Sequence, residues 1–350
     1  MSSEYITDVI DIPSLIGYVR EQTDGELPFE DIFPVEGVDD IEYELTQVPA
    51  FTGNVAKYRS WDTAPPLGNR PGVTIVGGEI PPLGLSFRLN EKDIVRFNKL
   101  KAGVADKTDA RVSDRIFGDA ANAGHAVQNR ITLAHGEALT LGKVTLTELG
   151  DVVTGNAIVA NFGVPGGHFV TAGTLWSDTA ASTPITNLKA YEATYYAANL
   201  VYPDAWMISS AVMANLALNA QVRNLAQAST ANPPGIINAD IVQAVFTAAG
   251  IKAPFVVSDV MRPALDGSGN ARVISDRKVV AIRQGMGKTL YGPSANAANL
   301  AGEGTIAFQD APGVIAFIEK QLRPAAIITT GEAVAIPVVL DPYAVFCATV

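Results

Sequence analysis

The residue types that could carry chemistry are few, and their spacing does not suit it. Gly287-Lys288-Thr289 has the ending of a phosphate-binding loop. That loop needs an earlier glycine, five residues before its second one, so that backbone N–H groups can ring a phosphate. The required position is Ile282, inside a strand-like run, and Gly285 cannot replace it; a turn after a strand is the better reading. His125 and His135 are ten residues apart, about 280° around a helix, so they share no face as HExxH zinc ligands do. They and His168 read as surface or packing residues. Cys347 is the only cysteine, which leaves no internal disulfide and no CxxC arrangement; it reads as a small buried hydrophobe. Gly267-Ser268-Gly269 lacks the spacing of a nucleophile elbow, and Asp39-Asp40 sits where a fixed catalytic geometry is hard to hold. Aromatic and basic residues do not interleave in a stripe, so sequence-specific nucleic-acid readout is unsupported. No cofactor, metal or catalytic set is expected.

The elements are more informative. The 350 residues are 48% hydrophobic and 17% charged, enough for a real core. Thirty-one glycines and 21 prolines favour many turns. No apolar run is long enough to span a membrane; the best, Ala325 to Leu340, is interrupted by Glu332 and Pro337. The acidic N-terminus shows no secretory signal. The net charge of −11 is uneven. Residues 1–44 hold 13 acidic residues and one basic, Arg20, while the remaining 306 hold 23 acidic and 24 basic. Arg88 to Arg115 carries 8 basic and 5 acidic residues. The acidic segment reads either as a solvated tail or as an arm that docks on a basic surface of a neighbouring copy.

From Asp106 to Gly142, apolar residues recur at Val112, Ile116, Ala120, Ala123, Val127, Ile131, Ala134 and Ala138, one face of a helix. Thr108 or Asp109 can cap its start and Gly142 can close its end. Gly118, Gly124 and Gly136 each cost about 1 kcal/mol inside it. A rod roughly 45–50 Å long calls for a sheet along its apolar stripe. Before it, 1–50 reads as an extended arm with a short helix over Pro13 to Gln22. Residues 51–90 read as a long hairpin: Asn54 to Trp61 as one strand, Asp62 to Gly72 as the tip, Val73 to Val76 pairing back, and Leu83, Leu85, Phe87 and Leu89 alternating as a strand. A loop this long is usually functional.

After the rod, Lys143 to Leu149 and Asn156 to Phe162 read as paired strands. A helix follows from Thr183, then a buried strand over Ala205 to Ser209 and one helix from Ser210 to Ala226. Asn238 or Asp240 caps a helix ending at Gly250. Phe255 to Asp259 and Ala271 to Gln284 are strand candidates, Val314 to Leu322 reads as strand or short helix, and Ala325 to Val350 gives two terminal strands. Helices and strands alternate only in the middle, so the class is α+β.

That order of arm, hairpin, long helix, small sheet, α/β lobe and return strands resembles the Hong-Kong-97-type fold of tailed-bacteriophage major capsid proteins. Local sequence is similar to the phage lambda major capsid protein family at Ile80-Pro81-Pro82-Leu83, Asn161-Phe162-Gly163-Val164-Pro165, Thr174-Leu175-Trp176-Ser177-Asp178, Tyr202-Pro203-Asp204 and Asp341-Pro342-Tyr343-Ala344-Val345. The resemblance implies an N-arm (1–50), an extended hairpin loop (51–90), and a spine helix with peripheral-domain strands (91–185). It further implies an axial domain (186–324) and return strands of the peripheral domain (325–350). It implies a subunit that self-assembles as hexamers and pentamers into an icosahedral virion shell around phage DNA, formed in the host cytoplasm. Implied partners are other copies of the chain, a portal, a decoration protein in the family's manner, and packaged double-stranded DNA held without sequence preference. A helical scaffold of about one hundred residues, the size known in one variant of the family, does not precede the arm, which implies a separate scaffolding protein. Tyr58, Arg59, Trp61, Pro65, Pro66 and Arg70 on the hairpin are the expected inter-subunit contacts; Gly118, Gly124 and Gly136 are candidate flex points of the spine. The competing readings are another phage structural protein, of a tail tube or a layer, and an enzyme of unrecognised chemistry.

Overall fold

The structure is a computed structural model that describes residues 4–5, 12–23, 27–47, 58–59, 61–64, 74–92, 94, 108–150, 157–228, 236–265, 267–302 and 313–350. In chain order it opens with a two-residue strand β1 (Glu4–Tyr5), helix α1 (Ile12–Thr23), and strands β2 (Val35–Gly37), β3 (Glu42–Gln47), β4 (Thr74–Glu79) and β5 (Pro82–Leu89). The rod is α2 (Thr108–Leu141), 34 residues closed by Gly142 at φ +65°. Only glycine adopts that conformation cheaply, which is why the helix stops there. Ala120, Ala123, Val127, Ile131, Ala134 and Ala138 are all buried along one side, as the period requires. The side chains of Val112 and Ile116 lie outside the described set.

The stripe lies on a six-stranded sheet. Its backbone is β16 (Ala325–Val339), fifteen residues of mostly small and β-branched side chains. β16 pairs antiparallel with β15 (Ile315–Leu322), with β14 (Gly287–Gly292) and with all eight residues of β5. β1 adds outside β15, and β2 pairs parallel with β14. At Gly331 the helix and strand touch: a β-carbon there would stand 2.7 Å from that of Ala123. Short helix α7 (Ala295–Gly302) links β14 towards β15.

A second, five-stranded sheet has the order β10-β9-β13-β17-β8. It is built from β8 (Phe169–Thr171), β9 (Ala205–Ile208), β10 (Phe255–Val257), β13 (Lys278–Ile282) and β17 (Phe346–Thr349). Helices α3 (Pro184–Asn199), α4 (Ser210–Leu218), α5 (Ala220–Ala228) and α6 (Ala239–Ala248) supply its apolar cover. Trp206, Leu188, Tyr195, Val212, Leu216, Phe246 and Phe346 fill that core. The β6–β7 pair (Lys143–Gly150 with Ala157–Asn161) and a β11–β12 hairpin (Met261–Pro263 with Asn270–Arg272) complete the fold.

Several expectations change. The partner of β4 is β3, not Asn54 to Trp61; Tyr58 and Arg59 are irregular and Trp61 begins a turn. The strand signal in 42–47 was masked by its charge, because Glu42 faces Glu79 directly across the pair. β5 leaves the hairpin for the main sheet, where its alternating apolar residues meet β16. The helix expected over Ser210 to Ala226 breaks at Asn219, whose backbone is extended and whose Oδ1 accepts from Gln221 N and Val222 N to start α5. Val222 and Ala226 take the buried positions there, and Leu225 is exposed. The run Ala271 to Gln284 splits into β12 and β13. The sheets also cross the expected boundaries at 186–324 and 325–350: β14 and β15 join β16, while β17 sits inside the five-stranded sheet. The arm's described part lies on its own chain, with Ile12, Leu15, Ile16 and Val19 of α1 buried against α2 and β15.

Candidate functional site

The residues that looked chemical in the sequence are structural. Lys288 and Thr289 are inside β14. Lys288 forms an ion pair with Glu36. Thr289 is fully buried; its hydroxyl donates to Phe33 O (3.1 Å) and therefore accepts from His135 Nε2–H (2.8 Å). The Phe33 ring stacks on His135 at 4.9 Å, and a β-carbon at Gly287 would collide with it. Burial holds His135 down to about 3, well below an ordinary imidazole. The trio fastens the arm to the long helix and to β14. His168 is also buried, its Nδ1 2.8 Å from Val345 O. Cys347 is buried, which pushes its thiol up to about 11 and removes thiolate reactivity. Among the described residues no group of three His, Cys, Asp or Glu side chains could hold a metal ion, and no helix is long and apolar enough to cross a membrane.

Two of the sequence motifs meet. Tyr202-Pro203-Asp204 and Asp341-Pro342-Tyr343 come together around Arg283. Arg283 Nη2 donates to Asp341 Oδ2 at 2.5 Å, Asp204 Oδ2 accepts from Gln284 N at 2.8 Å, and Asn199 Nδ2 donates to Tyr343 O at 2.8 Å. Tyr195, buried beside this knot, is pushed up to about 12 by desolvation. Glu192 is buried nearby and accepts from Trp206 Nε1 and from the backbone N–H groups of Lys252 and Ala253. These are buried polar anchors of the lobe built on the five-stranded sheet.

The contact residues expected on the hairpin separate into two sets. Tyr58, Arg59 and Trp61 are exposed, Trp61 at 95%, and Arg59 Nη1 braces the turn by donating to Thr63 O at 2.5 Å. Pro65, Pro66 and Arg70 lie outside the described residues. Among the glycines of the long helix, Gly118 has no described residue within 4 Å of where a β-carbon would go. At Gly124 that carbon would be 2.6 Å from Val19 Cγ1, and at Gly136 it would be 2.5 Å from Val273 Cγ1 and 2.8 Å from Val273 O. Sequence reasoning missed a second exposed cluster: Tyr196 stacked on Tyr202 at 4.7 Å, with Leu200 (in the left-handed region at φ 56°) and Val201 beside them. Consecutive apolar residues just past a helix end were its only signal.

No family model matches the chain, and no curated protein matches it. Solved structures do. The chain is similar to a protein assigned as the capsid protein of a prophage in E. coli CFT073, with a TM-score of 0.59, 13% identity and all of both chains covered. The fold is the Hong-Kong-97-type fold of phage capsid proteins. A phage-related protein from Bordetella bronchiseptica shares it at a TM-score of 0.51 and 11% identity, covering 100% of this chain and 98% of the other. Within the Hong-Kong-97-type fold α2 is the spine helix and β3–β4 the base of the extended loop. The narrower lambda-type resemblance rests on the sequence motifs.

Proposed function

We propose that this chain is a major capsid protein that closes with other copies of itself into the icosahedral shell of a tailed phage, around the phage DNA. The observation that supports the reading is the likeness of the whole chain, end to end, to a structure with the Hong-Kong-97-type fold. The role is mechanical rather than catalytic, and its place is the virion. Packed DNA pushes outward, so subunits need overlap beyond what a compact lobe offers. Exposed Tyr58, Arg59 and Trp61, in the connection between β3 and β4, are suited to lie on a neighbour, and heterologous contacts of that kind close into rings. The body outside residues 1–44 is nearly neutral (23 acidic, 24 basic). That suits a wall touching DNA without sequence preference, since a strongly basic lining would hold the genome too firmly for packing and ejection. A separate scaffolding protein, a portal and a decoration protein complete the proposed partners.

Electron microscopy of the chain expressed with a scaffolding protein encoded beside it tests the proposal. Closed icosahedral particles are expected; tubes or flat layers would assign the fold to a different phage structure.

A further inference from the structure

We propose that the pocket between β5, the spine helix and β6 receives the Trp61 side chain of a second copy of this chain. The inference rests on the self-assembly reading and says where one contact is made. The pocket has a volume of about 350 Å³. Pro82 and Leu85 of β5, Val127 and Ile131 of the spine, Val144 of β6 and Pro337 of β16 form its walls. Among the described residues Arg130 alone brings a charge to the lining, and that charge is turned aside. Its Nη2 donates to Thr145 O at 3.0 Å, and its Nη1 lies 3.7 Å from Glu137 Oε1. The space therefore selects an apolar occupant, and Leu85 on its wall is itself exposed. A cavity of about 150 Å³ with aliphatic and aromatic walls binds benzene, so this larger one has room for the two fused rings of an indole.

The occupant follows from where the exposed indole stands. Trp61 faces water, so it does not fill the pocket of its own chain. Burying such a ring removes roughly 150–250 Å² from water, and tryptophan is prominent among the anchors of interfaces. The pocket begins where β4 ends: Glu79 closes that strand, and Pro81 and Pro82 already line the space. From there β4 runs six residues, about 20 Å, towards the connection that bears Trp61. One chain thus carries the hole at the root of the hairpin and the knob beyond it. A knob on one surface and a hole on another make a heterologous contact, which passes from copy to copy around a ring. The surface that gives the contact is continuous with the surface that receives it, and this selects another copy as the occupant.

The tryptophans allow a direct test, because Trp176 and Trp206 are buried and Trp61 is open to water. The difference in emission between wild type and Trp61→Phe isolates the Trp61 signal in subunits and in particles alike. Acrylamide should quench that signal in the unassembled subunit, and the quenching rate should fall about fivefold or more in assembled particles, since an anchor in a packed pocket is shielded from solvent. Filling the pocket with Ala126→Phe, at a half-buried wall position, should leave Trp61 quenchable and lower the melting temperature of the particles as far as Trp61→Ala does. In the double variant the two losses should not add. Leu85→Glu, at an exposed wall position, reports in the same way where Ala126→Phe folds poorly. In particles mixed from two isotopic labels, a photoreactive amino acid at position 61 should join residues 81–85 or 126–131 of the other label. Equal quenching before and after assembly overturns the proposal, as does cross-linking only to other segments. Tubes or layers in which Trp61 is shielded and joined to the pocket would keep the contact and defeat the shell reading instead.

Discussion

His135 shows how a side chain with catalytic credentials becomes a rivet. Thr289 must donate to Phe33 O, so it accepts from Nε2–H, and the proton of the neutral ring is thereby placed. Nδ1 is left buried with no hydrogen-bond partner. Adding a proton there would put an unpaired charge among Phe29, Phe33 and Thr289, and burial accordingly holds the group down to about 3. The folded state then binds this proton only near pH 3, while the unfolded chain binds it near the ordinary value of about 6.5. Stability from the neutral ring is complete above that value and is lost as pH falls towards 3, by up to about 1.4 kcal/mol per pH unit. His135→Gln, which keeps a donor for Thr289 but cannot titrate, should lower stability at neutral pH by about 1–3 kcal/mol. It should also show an acid slope shallower by that one proton. Urea unfolding of the unassembled subunit across pH 3–7 measures both; parallel slopes in the two proteins would refute the assignment.

At the scale of elements, the spine helix was legible because its period runs unbroken from Ala120 to Ala138. The pairing of β6 with β7 was legible because the two strand-like runs follow one another in sequence, whereas β11, the partner of β12, lies outside every run that reads as a strand. What could not be read were partners distant in sequence. Nothing local says that Leu83 to Leu89 meets 327–333, or that β17 inserts beside β13. The break at Asn219 was hidden too, since its cause is Ser182, whose carbonyl and hydroxyl take the Asn219 amide protons. The three spine glycines look alike in sequence and differ in their neighbours. Gly136→Ala should destabilise the subunit by about 1–3 kcal/mol, because the Val273 carbonyl cannot move aside as a side chain could. Gly118→Ala should stabilise it by about 1 kcal/mol, since the added methyl meets none of the described residues. We propose Gly118 as the flex point that remains; the same variant should then slow expansion of an immature shell, and thermal melts with time-resolved scattering separate the two effects. Shortening Asp62 to Gly72 should leave the subunit's melting temperature unchanged and lower that of the assembled shell. Equal shell stability would remove the tip from the contact.

For the whole molecule, the charge imbalance and the packing of the arm must be considered together. Deleting residues 1–44 is the obvious way to ask whether the acidic arm holds a neighbour, but it would strip Leu15 and Val19 from the spine, Ile12 from β15 and α7, and Phe33 from His135. Losing that much buried apolar surface costs several kcal/mol at ~25 cal/mol per Å², so the deletion would unfold the subunit whatever its neighbours do. The informative change removes charge and leaves the packing. Asp39, Asp40, Glu42 and Glu79 are exposed around the base of the β3–β4 hairpin, and Glu42 and Glu79 repel each other across the pair. Replacing the four with Asn and Gln should leave the isolated subunit as stable or slightly more stable, by about 0.2–1 kcal/mol. If this surface meets a basic patch on another copy, the same replacement should weaken assembly and flatten its dependence on salt, because screened attraction between exposed charges is what salt removes. Light scattering of assembly at rising ionic strength, wild type against the fourfold variant, makes the comparison. Identical curves would mean that the acidic base faces solvent, and that shell contacts are carried by apolar surfaces such as Trp61 and the Tyr196–Tyr202 stack.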